Sequence, residues 1–301
     1  MGRRGKSDSK KVVLALQITI AILFIALLGL VLYTTKDRDD AVALQPVTLQ
    51  PTAGASSSLQ SSSSLSSLSS SSSSIENQSA TPSKAMLSII IDDVASAQDV
   101  KAIRSTLLNL TLSFLPPSKI HPSTSKLAKL EPYYMVHIPL EALSYGSPEP
   151  STLKLSDTQE SIESRVAQIV KLFPKVEYIN NHTGSAFTSN IDSMRMLIYA
   201  LDRYNITFID SRTIASTAVD DLAKELHRPY IARDIFLDHE VEVEKIKEQI
   251  KKAIEVAKRR GVAIAIAHPH KQTIEALIES RDLLLKEVDL VRIDQLVPYI
   301  R

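Results

Sequence analysis

Five apolar segments between residues 87 and 270 each end on side chains that can transfer protons or bind metals. Residues 87–91 run directly into two adjacent carboxylates, Asp92 and Asp93. The other four segments end at His137, at Asn180-Asn181-His182, at Asp210-Ser211 and at His268-Pro269-His270. Short apolar runs that stop on polar residues predict strands buried on both faces. If these strands are parallel neighbours, their last side chains converge on one rim, where α/β enzymes carry out their chemistry.

These residue types suit a divalent metal of the zinc kind, which histidine nitrogens and carboxylate oxygens bind. In an adjacent pair, one carboxylate can bind the metal while the other acts as a general base on water. His268 could protonate a leaving group, and Asp210 could orient this or another histidine. The alternative is structural, with Asp92 and Asp93 capping the next helix and His137 hydrogen-bonded in the core. The sequence contains no phosphate-binding glycine loop and no Gly-x-Ser-x-Gly motif.

The segments between the apolar runs predict helices. Residues 241–260, for example, begin acidic and end on Lys258, Arg259 and Arg260, which matches the helix dipole, and Gly261 then ends the helix. Strands alternating with helices predict an α/β fold with a parallel sheet and right-handed crossovers. With seven or eight such units, we predict a closed or nearly closed barrel rather than an open sheet.

The first 84 residues predict a membrane tether in three parts. Residues 1–11 are basic, residues 12–33 contain no charged side chain, and residues 34–84 are rich in serine. About twenty apolar residues span a bilayer, and the basic flank is expected to stay in the cytoplasm. We therefore predict a single-pass anchor in a bacterial inner membrane, a disordered linker and a domain at residues 85–301 on the periplasmic side. A cleaved signal peptide is the alternative.

Charge and composition narrow the possible partners. The net charge is +1 and aromatic residues make up 5% of the chain, so we expect no nucleic-acid partner. The chain contains no cysteine, which excludes disulfides and lipid attachment through cysteine, and fits an exported bacterial protein.

Six short motifs in the predicted domain resemble those of the divergent polysaccharide deacetylases, a family related to the larger polysaccharide deacetylase superfamily. They are Ile-Ile-Asp92-Asp93, His137-Ile-Pro-Leu-Glu141, Asn181-His182-Thr-Gly184-Ser185, Asp210-Ser211-Arg212-Thr213, Arg233-Asp234-Ile-Phe-Leu-Asp238 and Ala-Ile-Ala-His268-Pro269-His270. They occur in the family's order and span about residues 86–298. The resemblance implies a distorted barrel of about seven βα units. It also implies metal-dependent removal of acetyl groups from a polysaccharide or peptidoglycan-type substrate, with hydrolysis of carbon–nitrogen, non-peptide bonds.

The resemblance also implies roles for individual residues. Asp92 would be the base and Asp93 a metal ligand, while His268 would be the general acid and Asp210 would tune it. We further expect substrate contacts from side chains in the same motifs, namely Asn181, Ser185, Arg233 and His270. For Arg233, a structural ion pair with a neighbouring aspartate is an equal alternative.

The third metal ligand, after Asp93 and His137, is open between two residues. Glu141 stands four residues after His137, where the superfamily has a second histidine, and a carboxylate can bind zinc. His182 ends an adjacent strand and is the more usual type of ligand. We favour His182, with Glu141 orienting a ligand or contacting substrate.

Two functions remain open on the sequence alone. The first is a membrane-anchored deacetylase, dependent on a divalent metal such as zinc, that acts on an envelope glycan. The second is a non-catalytic envelope protein that keeps the fold and a glycan-binding cleft, because a fold does not determine an activity.

Overall fold

The computed structural model describes residues 84–300, a region in which strands alternate with helices. The strands are β1 Met86–Val94, β2 Thr111–Phe114, β3 Met135–Leu140, β4 Tyr178–Thr183, β5 Thr207–Ile209, β6 Ile235–Phe236, β7 Val262–Ala267 and β8 Asp289–Leu290. The helices are α1 Ala97–Ser105, α2 Thr124–Ala128, α3 Gln159–Leu172, α4 Ile191–Asp202, α5 Val219–Glu225, α6 Val243–Arg260, α7 Lys271–Glu279, α8 Arg281–Glu287 and α9 Ile293–Leu296, followed by a 3₁₀ turn at Val297–Tyr299. Each of the five apolar segments forms a strand, so the predicted alternation is confirmed.

Seven strands form a parallel half-barrel in the order β5-β4-β3-β2-β1-β7-β6. The eighth strand, β8, pairs with the start of β1 at Met86 and Leu87. Beyond the end of β5, a single bridge between Asp210 and Ala232 links this edge to the chain that leads into β6. The parallel α/β prediction is therefore correct. The sheet is a half-barrel, however, and not the closed or nearly closed barrel that we predicted, because a single bridge and not a paired length of strand joins its two edges.

The central strand β1 is buried on both faces, as its continuous apolar run predicts. Ile89 and Ile91 pack in the main core with residues from the surrounding helices. Ile90 faces the other way, into a smaller core that α9 closes with Ile293 and Leu296. The sheet is thus held between two apolar layers, which fix the positions of the strand ends.

The predicted anchor at residues 12–33 and the linker at residues 34–84 lie outside the described residues, apart from Lys84. Between residues 84 and 300, no helix combines the length and the apolar character needed to cross a membrane.

Candidate active site

Asp92 and Asp93 both face one cleft because the end of β1 departs from regular strand geometry. Successive side chains of a strand normally point to opposite faces of the sheet. Asp93 has a left-handed backbone with φ of 55°, and the register of β1 against β2 shifts between Ile91 and Val94. As a result, both carboxylates line a cavity of about 470 Å³. A left-handed conformation is costly for a residue other than glycine, and such strain is concentrated at functional sites.

Asp93 forms a cluster with His137 of β3 and His182 of β4. Its Oδ1 atom lies 2.8 Å from His182 Nδ1 and 3.4 Å from His137 Nε2. One ligand atom from each residue lies within 4.8 Å of those of the other two. The structure therefore brings together the three side chains that we favoured as metal ligands.

The donor set of this cluster fits a catalytic zinc site. Two histidine nitrogens and one carboxylate oxygen are typical protein ligands of zinc centres that keep one position open for water. Burial raises the pKa of Asp93, but the hydrogen bond from His182 and the nearby histidines outweigh it and hold this pKa below its usual range. Asp93 is thus ionised, as a metal ligand must be.

Asn180, the residue at the centre of β4, connects the cluster to Asp92. Its Nδ2 atom donates to both carboxylate oxygens of Asp92, at 2.8 and 2.9 Å, and to Ser211 Oγ at 3.0 Å. These acceptors fix the orientation of the amide, so its Oδ1 atom accepts from Ser113 Oγ at 2.6 Å and from His137 Nδ1 at 3.1 Å. With the proton on Nδ1, His137 presents the lone pair of Nε2 towards Asp93.

Asn180 was not predicted to have a role of its own in the site. The signal that could have found it is strand register, because Asn180 stands directly opposite His137 in the pairing of β4 with β3. A polar residue opposite a predicted metal ligand is a natural hydrogen-bond partner for that ligand.

Asp92 is 1% exposed and is not a member of the cluster, to which Asn180 links it through hydrogen bonds. Burial raises the pKa of Asp92 to about 7, against the opposing effects of His268 and of the hydrogen bond from Asn180. A carboxylate with a pKa near neutrality can both accept and release a proton at physiological pH. Asp92 therefore has the properties of a general base.

His268, which follows β7, is held by Asp238 rather than by Asp210. Asp238 Oδ1 lies 3.1 Å from His268 Nδ1, and its Oδ2 atom accepts from the His268 backbone N–H at 2.6 Å and from Thr273 Oγ1 at 2.9 Å. Burial lowers the pKa of His268, but the hydrogen bond and charge of Asp238 raise it to about 9. The free Nε2 atom lies 3.8 Å from Asp93 Oδ2, so His268 presents a proton to the cleft.

The expectation that Asp210 orients this histidine is wrong. Asp210 is fully buried and accepts from the Arg212 backbone N–H at 2.7 Å and from Tyr230 Oη at 2.8 Å. The reason is topological, because β6 and not β5 is the neighbour of β7. Asp238, two residues after the end of β6, therefore reaches His268, a pairing that was not predicted from the sequence.

Glu141 lies outside the metal cluster. Its Oε2 atom accepts from the Leu155 backbone N–H at 2.6 Å, which leaves His182 as the third member. Ser185 likewise accepts from the Leu143 backbone N–H at 2.9 Å and does not line the cleft. Their side chains hold the loop that follows β3.

The remaining predicted substrate contacts lie at or beside the cleft. Asn181 lines the cavity, and its Oδ1 atom accepts from the Ser211 backbone N–H at 2.9 Å. Arg233 lines it as well and stacks on Phe236, a cleft residue that our sequence analysis did not identify. His270 is exposed, with its ring centroid 5.7 Å from that of His268. His270, His268 and Asp238 form a second group of possible metal ligands, but hydrogen bonds already occupy Asp238.

Comparisons with known proteins point to one family. The family model for divergent polysaccharide deacetylases matches residues 89–297. YibQ, an uncharacterized protein of Escherichia coli K12, is 32% identical over 216 residues, which cover 70% of this chain and 67% of YibQ. An uncharacterized protein of Haemophilus influenzae is 30% identical over 211 residues, covering 69% of this chain and 75% of that protein. The crystal structure of the uncharacterized protein ATU2773 from Agrobacterium tumefaciens shares the fold, with a TM-score of 0.61 at 22% identity over 70% of this chain and 89% of ATU2773.

Proposed function

Because this chain belongs to the divergent polysaccharide deacetylase family, we propose that it is a metal-dependent hydrolase that removes acetyl groups from an envelope glycan. The observation that carries the proposal is the convergence of Asp92, Asp93, His137, His182 and His268 on one cleft. The cleft thus combines a set of metal ligands with a candidate base and a candidate acid.

Asp93, His137 and His182 would hold the metal, for which zinc is the best match to two nitrogens and one oxygen. When bound, such a metal polarises a carbonyl oxygen and makes a bound water more acidic. Asn180 supports the site by fixing which nitrogen of His137 faces it.

Asp92 and His268 carry out the two proton transfers of the proposed reaction. Hydrolysis adds water to the acetyl carbonyl, so the attacking water loses a proton and the leaving sugar nitrogen or oxygen gains one. Asp92 accepts the first proton, since burial raises its pKa to about 7. His268 donates the second, since Asp238 keeps its imidazole protonated. The products are acetate and the deacetylated sugar.

The experiment combines metal analysis with acetate release. The purified full-length chain should contain a divalent metal and should release acetate from an N-acetylated or O-acetylated glycan. Asp92→Asn should retain the metal and lower turnover by roughly 10²–10⁴, the usual worth of a general base. Asp282→Asn is the matched control, because that side chain is 97% exposed. A chain that binds glycan but neither binds metal nor releases acetate would instead be a non-catalytic glycan-binding protein.

The location is part of the proposal and is supported by the sequence of residues 1–84 alone. The basic segment, the uncharged span and the serine-rich linker favour a domain tethered to the periplasmic side of the inner membrane. Protease added to the periplasm should then cut the linker and release the domain. Cleavage of the linker only by a protease on the cytoplasmic side would show that the domain has the opposite orientation.

A further inference from the structure

One wall of the cleft carries two arginines, Arg212 and Arg233. Arg212 follows β5 and Arg233 precedes β6, and the bridge between Asp210 and Ala232 brings these two segments together. They are the only cationic lysine or arginine side chains among the described residues that line the cleft, and neither takes part in the proton transfers above.

The guanidinium of Arg233 is held in a fixed position. Its Nε atom donates to the Ser211 carbonyl at 2.7 Å, and its Nη2 atom donates to the Arg212 carbonyl at 2.9 Å. Its Cζ atom lies 4.9 Å from the ring centroid of Phe236, which lines the same cleft. A guanidinium has five N–H donors, so these bonds leave three of them for a ligand.

In the part of the chain that the structure describes, neither arginine forms an ion pair. The nearby carboxylates have other partners. Asp234 binds Arg260 and the Ile264 backbone N–H. Asp210 binds Tyr230 and the Arg212 backbone N–H, and Asp92 binds Asn180. The proposed structural ion pair of Arg233 is therefore absent from these residues.

Burial lowers the pKa of Arg233 and the positive charge of Arg212 lowers it further, and together they outweigh the opposing charges of Asp210, Asp92 and Asp234, none of which pairs directly with it. A partly buried charge without a counter-ion is unfavourable. An anionic group on the ligand would supply the missing counter-ion.

Building on the proposed deacetylase function, we infer that the substrate is an acidic glycan whose oxyanion, a carboxylate or a phosphate, binds Arg233 with help from Arg212. The planar fork of a guanidinium matches both groups through paired hydrogen bonds. Bound there, the oxyanion would orient the glycan in the cleft that contains Asp92 and the metal ligands.

The test measures glycan binding separately from turnover. Isothermal titration of the full-length chain would use three short N-acetylated oligosaccharides of equal length: one neutral, one carrying a carboxylate and one carrying a phosphate. Arg233→Gln should weaken binding of the acidic ligand roughly 10-fold or more, the worth of a hydrogen bond to a charged group. Arg233→Lys keeps the positive charge but loses the planar guanidinium, so the affinity of this variant for the acidic ligand should lie between those of Arg233→Gln and the parent.

A second variant guards against misfolding of the first. The Arg212 side chain is exposed and makes no hydrogen bond to the described residues, so Arg212→Gln should fold normally and weaken acidic binding about 2- to 5-fold. Lys101→Gln is the matched control, because it removes one exposed positive charge from α1 outside the cleft. It should leave all three affinities unchanged.

Each outcome decides between the alternatives. Equal affinity of the parent for neutral and acidic ligands would overturn the inference, as would equal weakening of both by Arg233→Gln, which would indicate a structural role. Acetate release from neutral and acidic glycans at equal rates would support the proposed function and refute the acidic preference. Arginine-dependent binding of the acidic ligand without acetate release from any glycan would support the binding site and refute the deacetylase.

Discussion

Replacing Asn180 by alanine tests whether this residue prepares the metal site. The substitution removes the donor to Asp92 and Ser211 and the acceptor for Ser113 and His137. All of these groups lie in the buried interior at the end of the strands. Without Asn180, His137 loses the partner that keeps its proton on Nδ1.

The expected magnitudes follow from these contacts. Four buried groups, on Asp92, Ser211, Ser113 and His137, lose this partner, and each such loss costs about 1–3 kcal/mol. The hydroxyls of Ser113 and Ser211 can rotate, so we expect the lower end, about 4 kcal/mol in the free energy of unfolding. Zinc affinity should fall about 10- to 100-fold, as for other residues that orient a metal-binding histidine.

Two measurements separate these effects. Denaturant unfolding reports the stability, and isothermal titration of the apo-protein with zinc reports the affinity. Nitrogen NMR of the imidazoles should show the Nδ1–H form of His137 in the parent and its loss in Asn180→Ala. Asn109→Ala is the control, since Asn109 precedes β2 at the opposite end of the sheet and donates to the Leu290 carbonyl. If folded Asn180→Ala binds zinc within about threefold of the parent, a loss well below the roughly 10- to 100-fold expected for such residues, Asn180 does not prepare the site.

Four further substitutions test other parts of the site. His182→Ala should lower zinc affinity by well over about 100-fold and Glu141→Gln should leave it nearly unchanged, because only His182 lies in the cluster. If zinc titration finds the larger loss of affinity in Glu141→Gln, the assignment is reversed. Asp238→Asn should lower the pKa of His268 towards its ordinary value, since it removes the charge that raises it, and an NMR titration of the apo-protein that finds this pKa unchanged would contradict the pairing. Gly184→Ala should destabilise the protein by about 1–3 kcal/mol, because Gly184 has φ of 99° and an added Cβ would lie 2.9 Å from Leu140 Cβ; an unchanged denaturation midpoint would show that the turn after β4 can relax.

The sequence predicts the strands well because their burial is continuous. The runs that form β1 and β7 are apolar at almost every position, and only a strand covered on both sides requires this. The polar residues that end these runs accordingly meet at one rim. Both the apolar runs and the polar residues that end them are local features, which is why one sequence is enough to predict them.

The details of the site depend on geometry that the sequence does not display. Regular alternation would put Asp92 and Asp93 on opposite faces, and only the left-handed backbone at Asp93 brings both into the cleft. The pairing of Asp238 with His268 could not be predicted, because β6, the strand just before Asp238, is only two residues long and has no recognisable sequence pattern. Glu141 has the expected spacing, but its carboxylate binds the neighbouring loop at Leu155.

The pairing of β1 determines when the domain can fold during synthesis. β1 begins at Met86, yet two of its three partners are β7 at Val262–Ala267 and β8 at Asp289–Leu290. These contacts span nearly the whole domain, and such long loops close slowly. A nascent chain that has not yet reached residue 262 leaves one edge of its central strand unpaired, an arrangement that favours aggregation. The half-barrel can therefore be completed only late in synthesis, and until then the open edge of β1 is available for pairing with other chains.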